Sequence, residues 1–96
     1  MKVTIGEKTF EQTKIKGRAI RKFLEVKENL DTKEKDFGTK EFDTIVNFIV
    51  DTFGNKFTSD DLLDELDASE IFKVFYDVCD DIGKQMSSKV NEFEKN

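Results

Sequence analysis

Six acidic residues lie within the eighteen positions from Phe53 to Glu70, a stretch that reads FGNKFTSDDLLDELDASE. Carboxylates at such close spacing could ligate a divalent cation such as calcium. An EF-hand loop needs oxygen ligands at loop positions one, three and five, then glycine at six and glutamate at twelve. A loop that starts at Asp60 has Leu62 in third place, and one that starts at Asp77 has Cys79 there. The spacing therefore predicts no metal site and favours acids that start helices or lie on solvated faces.

Ser69 poses a second question, because small acidic helical chains of this size resemble acyl carrier proteins. Members of that family present a serine directly after an aspartate at a helix N-terminus, usually followed by leucine. Here Ala68 stands between Asp67 and Ser69, and Glu70 follows. This departure favours an ordinary first-turn role for Ser69. A carrier protein modified on Ser69 stays open as an alternative.

The chain has no histidine, tryptophan or proline and a single cysteine, Cys79. Histidine is the commonest general base, so the serines and threonines have no imidazole to activate them. A lone cysteine cannot form a disulfide within the chain, which is typical of a reducing intracellular setting. No apolar stretch has the length of a signal peptide or a membrane span. We therefore expect a cytoplasmic, non-enzymatic protein with no catalytic residue, no cofactor and no metal.

The hydrophobic pattern predicts one domain over residues 1–96, mainly α-helical, with an N-terminal β-hairpin. The hairpin covers residues 1–14, a helical body covers 15–93, and the C-terminal end frays. The body is a small bundle of three main helices and one short helix. Their predicted limits are Gly17 to Asn29 for the first helix, Thr39 as cap and Gly54 as stop for the second, Thr58 as cap of the short helix, and Asp67 with Glu70 as cap of the last.

Apolar residues at helical spacing predict which face of each helix is buried. The predicted core residues are Ala19, Ile20, Phe23, Leu24 and Leu30 in the first helix, Phe42, Ile45, Val46, Ile49 and Phe53 in the second, Leu62, Leu63 and Leu66 in the short helix, and Ile71, Phe75, Val78, Ile82, Met86 and Phe93 in the last.

Four apolar residues lie off these stripes or at their edges: Phe48, Val26, Phe57 and Tyr76. The helices and the hairpin could enclose all four, because a small core can use every large side chain it has. They could instead form an exposed patch for a partner, and in that case Phe48→Ala would leave the fold intact. Both interpretations stay open, and the second makes these four the candidate partner-binding residues.

Charge is distributed unevenly along the chain. Residues 1–40 carry eleven Lys and Arg against seven Asp and Glu, whereas residues 41–96 carry five against fourteen. The pattern can reflect solvated helix faces alone, or it can favour weak head-to-tail self-association between a basic and an acidic pole. The overall charge of −5 disfavours nucleic acid as a partner, and the hydropathy disfavours a membrane.

The chain resembles a family of phage proteins, the short tail assembly chaperones of long-tailed phages and prophages of Gram-positive bacteria. The residues that carry the resemblance are the opening MKVTIGEKTFE, the basic helix GRAIRKFLEV, and the segment FTSDDLLDEL from Phe57 to Leu66 that leads into the last helix. The resemblance covers residues 1–85.

The resemblance implies a function that the residues alone do not. Tail assembly chaperones bind the tape measure protein, a long helical polypeptide, and help to recruit tail tube subunits. They act in the host cytoplasm and are absent from the finished virion. The resemblance thus implies the tape measure protein and the tail tube protein as partners. An unrelated small adaptor stays open as a further alternative.

Overall fold

The computed structural model describes residues 1–31 and 38–95, with side chains over 1–28 and 38–87. Its elements are two strands, β1 (Lys2–Ile5) and β2 (Lys8–Glu11), followed by the helices α1 (Gly17–Asp31), α2 (Thr39–Thr52), α3 (Ser59–Glu65) and α4 (Ala68–Lys95). The predicted fold class, a hairpin followed by three main helices and a short one, is confirmed. The predicted core residues Leu30 and Phe93 lie outside the described side chains.

The hairpin is antiparallel, with Val3 opposite Phe10 and Thr4 opposite Thr9. Gly6 has a φ of +63° at the first central position of the two-residue turn, where hairpin turns favour glycine. Alternation directs Val3 towards the core, whereas the hydroxyls of Thr4 and Thr9 meet on the outer face at 3.1 Å. Because an isolated hairpin is marginal in water, its stability depends on this buried face.

Hydrogen bonds of a capping residue mark the start of each of the later helices. Thr58 and Asp61 form a reciprocal capping box at α3: Asp61 N–H donates to Thr58 Oγ1 at 3.1 Å, and Thr58 N–H donates to Asp61 Oδ2 at 3.0 Å. At α2 the cap is Gly38, not the predicted Thr39, which is the first helical residue. The Gly38 N–H donates to Glu41 Oε1 at 2.8 Å, and this bond lowers the pKa of Glu41.

Asp67 caps α4 as predicted. Asp67 N–H donates to Glu70 Oε1 at 3.0 Å, and Glu70 N–H donates to Asp67 Oδ1 at 2.9 Å. The bond from the Glu70 backbone, with a second from the Ser69 hydroxyl, lowers the pKa of Asp67. The charged form of this carboxylate is therefore the one that stabilises the helix start.

A Schellman motif ends α2. Gly54 N–H donates to the Asp51 carbonyl and Asn55 N–H donates to the Val50 carbonyl, both at 3.0 Å. Gly54 has a φ of +75°, which only glycine adopts without strain. The predicted stop at Gly54 is thus confirmed, and the chain turns there towards α3.

The core surrounds α2, which packs against α1, α3 and α4. Phe48 is 1% exposed and Ile49 is 0% exposed, although they point to different sides of the helix. The buried hydrophobic residues are Val3, Ile5, Ala19, Val26, Ile45, Val46, Phe48, Ile49, Val50, Phe53, Phe57, Leu62, Ile71, Phe75, Val78 and Ile82.

Two leucines that the helical pattern assigns to the core are exposed instead. Leu24 is 43% exposed and Leu63 is 41% exposed. On α1, Val26 takes the buried position, because the helix is rotated so that Ala19, Phe23 and Val26 face α2 and α4. The apolar stripe of α1 is broad enough to allow either rotation, and the packing partner decides between them.

The buried position of Phe48 reverses the effect expected for an exposed side chain. We expect Phe48→Ala to lower the free energy of unfolding by about 3–5 kcal/mol, because it leaves a cavity between three helices. Leu24→Ala serves as control and should cost no more than about 1 kcal/mol. Urea denaturation followed by circular dichroism measures both. Equal losses for the two variants would contradict the core described above.

The cap of α4 makes stability depend on pH. The pKa of Asp67 in the folded chain lies below its ordinary 3.8. Its carboxylate therefore stabilises the fold above that pH, and this contribution is lost as the pH falls through the lower folded-state value. Asp67→Asn keeps a capping oxygen but does not titrate. We expect wild type to have a higher free energy of unfolding than Asp67→Asn at neutral pH, and we expect this difference to become smaller as the pH falls.

Urea denaturation at pH values of about 7, 5 and 3 measures this gap. Asp67→Ala is the matched control, because it removes the capping oxygen and should stay less stable than Asp67→Asn at every pH. A gap between wild type and Asp67→Asn that does not change with pH would show that the charge of Asp67 has no part in the stability.

Candidate functional site

Three of the four candidate partner-binding residues are buried: Phe48 is 1% exposed, Val26 is 2% exposed and Phe57 is 5% exposed. The expectation that they form an exposed patch is therefore wrong. Phe48 lies between two other rings, with centroid distances of 6.3 Å to Phe23 and 5.9 Å to Phe75. Being off the stripe of α2 does not expose Phe48, because α2 has neighbours on several sides.

Phe57, which lies just beyond the C-terminal end of α2, is enclosed in the same way. Its ring centroid lies 5.0 Å from that of Phe10 on the hairpin and 5.5 Å from that of Phe53. The connector between α2 and α3 is thus anchored by an aromatic cluster rather than displayed to a partner.

Tyr76 is the one candidate that the structure exposes, at 65%. Its ring centroid lies 5.7 Å from that of the buried Phe75, so the aromatic contacts of the core continue to the surface through α4. A large side chain that combines an apolar ring with a polar hydroxyl is typical of protein interfaces. Whether Tyr76 binds a partner stays a prediction.

Tyr76 belongs to a line of residues along one edge of α4. Phe72, Tyr76, Cys79 and Gly83 are spaced four, three and four positions apart, so they lie on one side of the helix. We call these four residues the α4 edge strip. Phe72, Cys79 and Gly83 are half-buried, and the core face of α4 lies directly beside them. At the N-terminal end the ring of Phe42 lies 6.0 Å from that of Phe72.

Cys79 and Gly83 are the two small members of the strip. The local structure does not require a glycine at position 83. Gly83 sits in the interior of α4, and a Cβ atom added there would meet no atom of the described residues within 4 Å. Its backbone is helical and needs no glycine, and no neighbouring side chain requires the space. Glycine in a helix interior costs roughly 0.5–1 kcal/mol relative to alanine. Gly83 thus leaves an open notch in the surface of α4.

Cys79 lies one helical turn before this notch, and its thiol is unreactive. Burial raises the pKa of its thiol to about 11, so the thiol is protonated at neutral pH. A protonated, half-buried thiol behaves as a small apolar residue rather than as a nucleophile.

Paired charges lie on the far side of the strip. Lys73 Nζ lies 3.1 Å from Asp77 Oδ2, and Lys84 Nζ lies 3.1 Å from Asp80 Oδ2, each pair one helical turn apart. The hydrogen bond and charge of Asp80 raise the pKa of Lys84. The edge strip is therefore apolar but bordered by charge, as in an interface that has a polar rim.

The serine considered for modification is engaged locally. Ser69 Oγ donates to Asp67 Oδ1 at 2.9 Å, so this hydroxyl is part of the cap of α4. Within the part of the chain that the structure describes, no three His, Cys, Asp or Glu side chains come together in a group that could hold a metal ion. The geometry of this surface suits binding to another polypeptide.

A family model described as "Phage tail chaperone protein" matches residues 1–96. The chain belongs to this phage tail chaperone family. A comparison with curated proteins and a comparison with solved structures each found no match. The resemblance seen in the sequence is thereby confirmed at the level of the family.

Membership of the tail chaperone family indicates a role in tail assembly and interaction with tail proteins. Over the described residues, no helix of this tail chaperone combines the length and the apolar character that crossing a membrane requires. Sequence reasoning singled out Tyr76 at the edge of the last stripe but missed Gly83. The spacing that continues from Cys79 to Gly83 was the available signal.

The notch at Gly83 predicts a stabilising substitution. We expect Gly83→Ala to raise the free energy of unfolding by about 0.5–1 kcal/mol, because alanine favours the helix and its methyl group meets no atom. Urea denaturation measures the change. Gly54→Ala is the control and should destabilise, since the positive φ at Gly54 strains any side chain. A loss of stability in Gly83→Ala would mean that the notch is filled in the folded chain.

Proposed function

We propose that this chain is a non-enzymatic tail assembly chaperone that binds the tape measure protein and helps to recruit tail tube subunits. The α4 edge strip is the observation that carries the proposal, since it is an apolar helix edge that ends in an open notch. The family match supports a role in tail assembly. The identity of the client and the surface that binds it are proposed here and go beyond what the family match supports.

The strip suits a helical client because of its spacing. Residues spaced four, three and four apart form a ridge that packs into the groove of a second helix lying alongside. The small side chains at Cys79 and Gly83 let the two backbones approach closely. Tyr76 supplies a large ring with few rotatable bonds, which is typical of residues that dominate binding energy.

Charge on α4 suits the same role. A long client with an exposed apolar seam aggregates unless that seam is covered by a surface that water tolerates. The pairs Lys73–Asp77 and Asp80–Lys84 would remain on the outside of such a complex. The chaperone would thus cover the apolar seam of the client and present the charged side of α4 to water in its place.

The proposal includes a time and a place of action. The chaperone binds the tape measure protein in the cytoplasm of a Gram-positive host, holds it while tube subunits arrive, and leaves before the virion is complete. Mass spectrometry of purified virions should then detect tube and tape measure proteins without this chain. Its presence at a fixed stoichiometry would make it a structural component instead.

Binding to the client can be tested with helical segments that tile the tape measure protein of the same phage. We expect at least one segment to bind wild type, and Tyr76→Ala and Gly83→Leu each to weaken that binding about tenfold. Fluorescence anisotropy of a labelled segment measures the affinity. Gly83→Leu is informative because its side chain enters open space in the free chain but occupies the notch that the client needs.

Leu63→Ala is the matched control, because Leu63 is an exposed apolar residue on α3 and not on α4. It should bind as wild type does. Urea denaturation checks that all three variants stay folded. If every segment binds Tyr76→Ala and Gly83→Leu as tightly as wild type, the α4 edge strip is not the client surface. If no segment binds wild type, the tape measure protein is not the client.

A further inference from the structure

A basic cleft lies on the surface formed by the start of α1 and the end of α2. Its volume is about 480 Å³, and Lys14, Lys16, Arg18 and Lys22 line it together with the single carboxylate of Asp51. Three of these four cations, Lys14, Lys16 and Arg18, are exposed. We call this surface the basic cleft.

The cations of the basic cleft are poorly neutralised by the chain itself. Over the described residues, no carboxylate lies within ion-pair distance of Lys14, Lys16 or Arg18, and Lys22 Nζ approaches Glu25 at 3.8 Å. Like charges held together without counterions raise the local potential and attract an anionic surface. The cleft lies apart from the α4 edge strip, since none of its lining residues is on α4.

An acidic surface of matching character occurs on α3. Asp60, Asp61, Asp64 and Glu65 are exposed within a helix of seven residues, and no Lys or Arg occurs from position 57 to position 72. Among the described residues, no cation pairs with Asp60, Asp64 or Glu65. We call Asp60, Asp61, Asp64 and Glu65 the α3 acidic face.

The pairing elsewhere on the surface sets these two regions apart. Asp77 and Asp80 on α4 each have a lysine partner one turn away, and Glu25 on α1 lies 3.6 Å from Arg21. The basic cleft and the α3 acidic face are thus regions where charge of one sign accumulates. They are complementary in charge, and within one copy neither is neutralised by any residue that the structure describes.

We propose that the basic cleft binds the α3 acidic face of a second copy of this chain. The contact joins two different surfaces, so each bound copy still presents a free cleft or a free acidic face unless a second contact closes the pair. This self-association does not depend on the client proposed above, and it would let copies line up on any long partner. Exposed ion pairs make such a contact weak and salt-sensitive.

Sedimentation velocity of the full chain over a range of concentrations tests the proposal. Apparent mass should rise with concentration at about 10 mM salt and stay that of a monomer at about 1 M salt, because the screening length falls from about 30 Å to 3 Å. A monomer at every concentration at low salt would overturn it. Association that is unchanged at high salt would assign the contact to apolar surface instead.

Charge reversal identifies the two surfaces. We expect Lys16→Glu with Arg18→Glu, and separately Asp60→Lys with Asp64→Lys, each to weaken association about tenfold or more. All four side chains are exposed, so the variants keep the fold. Lys2→Glu with Lys8→Glu is the matched control, since it makes the same change of net charge on the hairpin and should leave association unchanged.

The combination of both charge reversals in one chain tests whether the basic cleft and the α3 acidic face contact each other. A chain that carries all four substitutions again has opposite charges on the two surfaces, so its association should recover towards that of wild type. Failure to recover would overturn the pairing of these two surfaces. Absorbance shows whether nucleic acid copurifies with the protein. If it copurifies with wild type but not with the variant Lys16→Glu with Arg18→Glu, the basic cleft binds a polyanion and not a second copy of the chain, and the proposal is overturned.

Discussion

The burial of α2 on several sides is the constraint on which the rest of the structure depends. A helix of fourteen residues carries Phe48 and Ile49 at neighbouring positions, and both are removed from water. Neighbouring positions point in different directions, so α1, α3 and α4 must all contact α2. Fully burying one such side chain contributes roughly 1.5–3 kcal/mol, a large share of the stability of a small domain. Helices that all pack on one central helix must begin and end at defined residues.

Polar residues determine where each helix begins and ends around that core. The reciprocal hydrogen bonds of Thr58 with Asp61 and of Asp67 with Glu70 satisfy backbone N–H groups at two helix starts, and the Schellman motif at Gly54 satisfies carbonyls at a helix end. The acidic stretch between α2 and α4 therefore serves local structure first. Its remaining carboxylates lie on the surface, where they create a negative electrostatic field.

The function proposed for this chain is a property of its surfaces. The α4 edge strip is apolar, continuous with the core and open at Gly83, whereas the basic cleft and the α3 acidic face carry charge of opposite sign that the described residues leave largely unpaired. An assembly chaperone needs both kinds of surface, because apolar contact supplies affinity for a client and charge supplies solubility and orientation. The family to which the chain belongs supplies the setting, which is the assembly of a phage tail.

The sequence by itself determined the order and type of the elements, the caps at Thr58 and Asp67, the stop at Gly54 and the family, because these depend on residues close together in the chain. It could not determine which apolar residues are enclosed. Phe48, Val26 and Phe57 lie off their stripes yet are buried, while Leu24 and Leu63 lie on stripes yet are exposed. The reason is physical: a helical stripe defines one face, but burial depends on how many neighbours a helix has and how it is rotated against them. Only the tertiary structure decided that α2 has three helical neighbours, and so left Tyr76 and Gly83 to form the surface of α4.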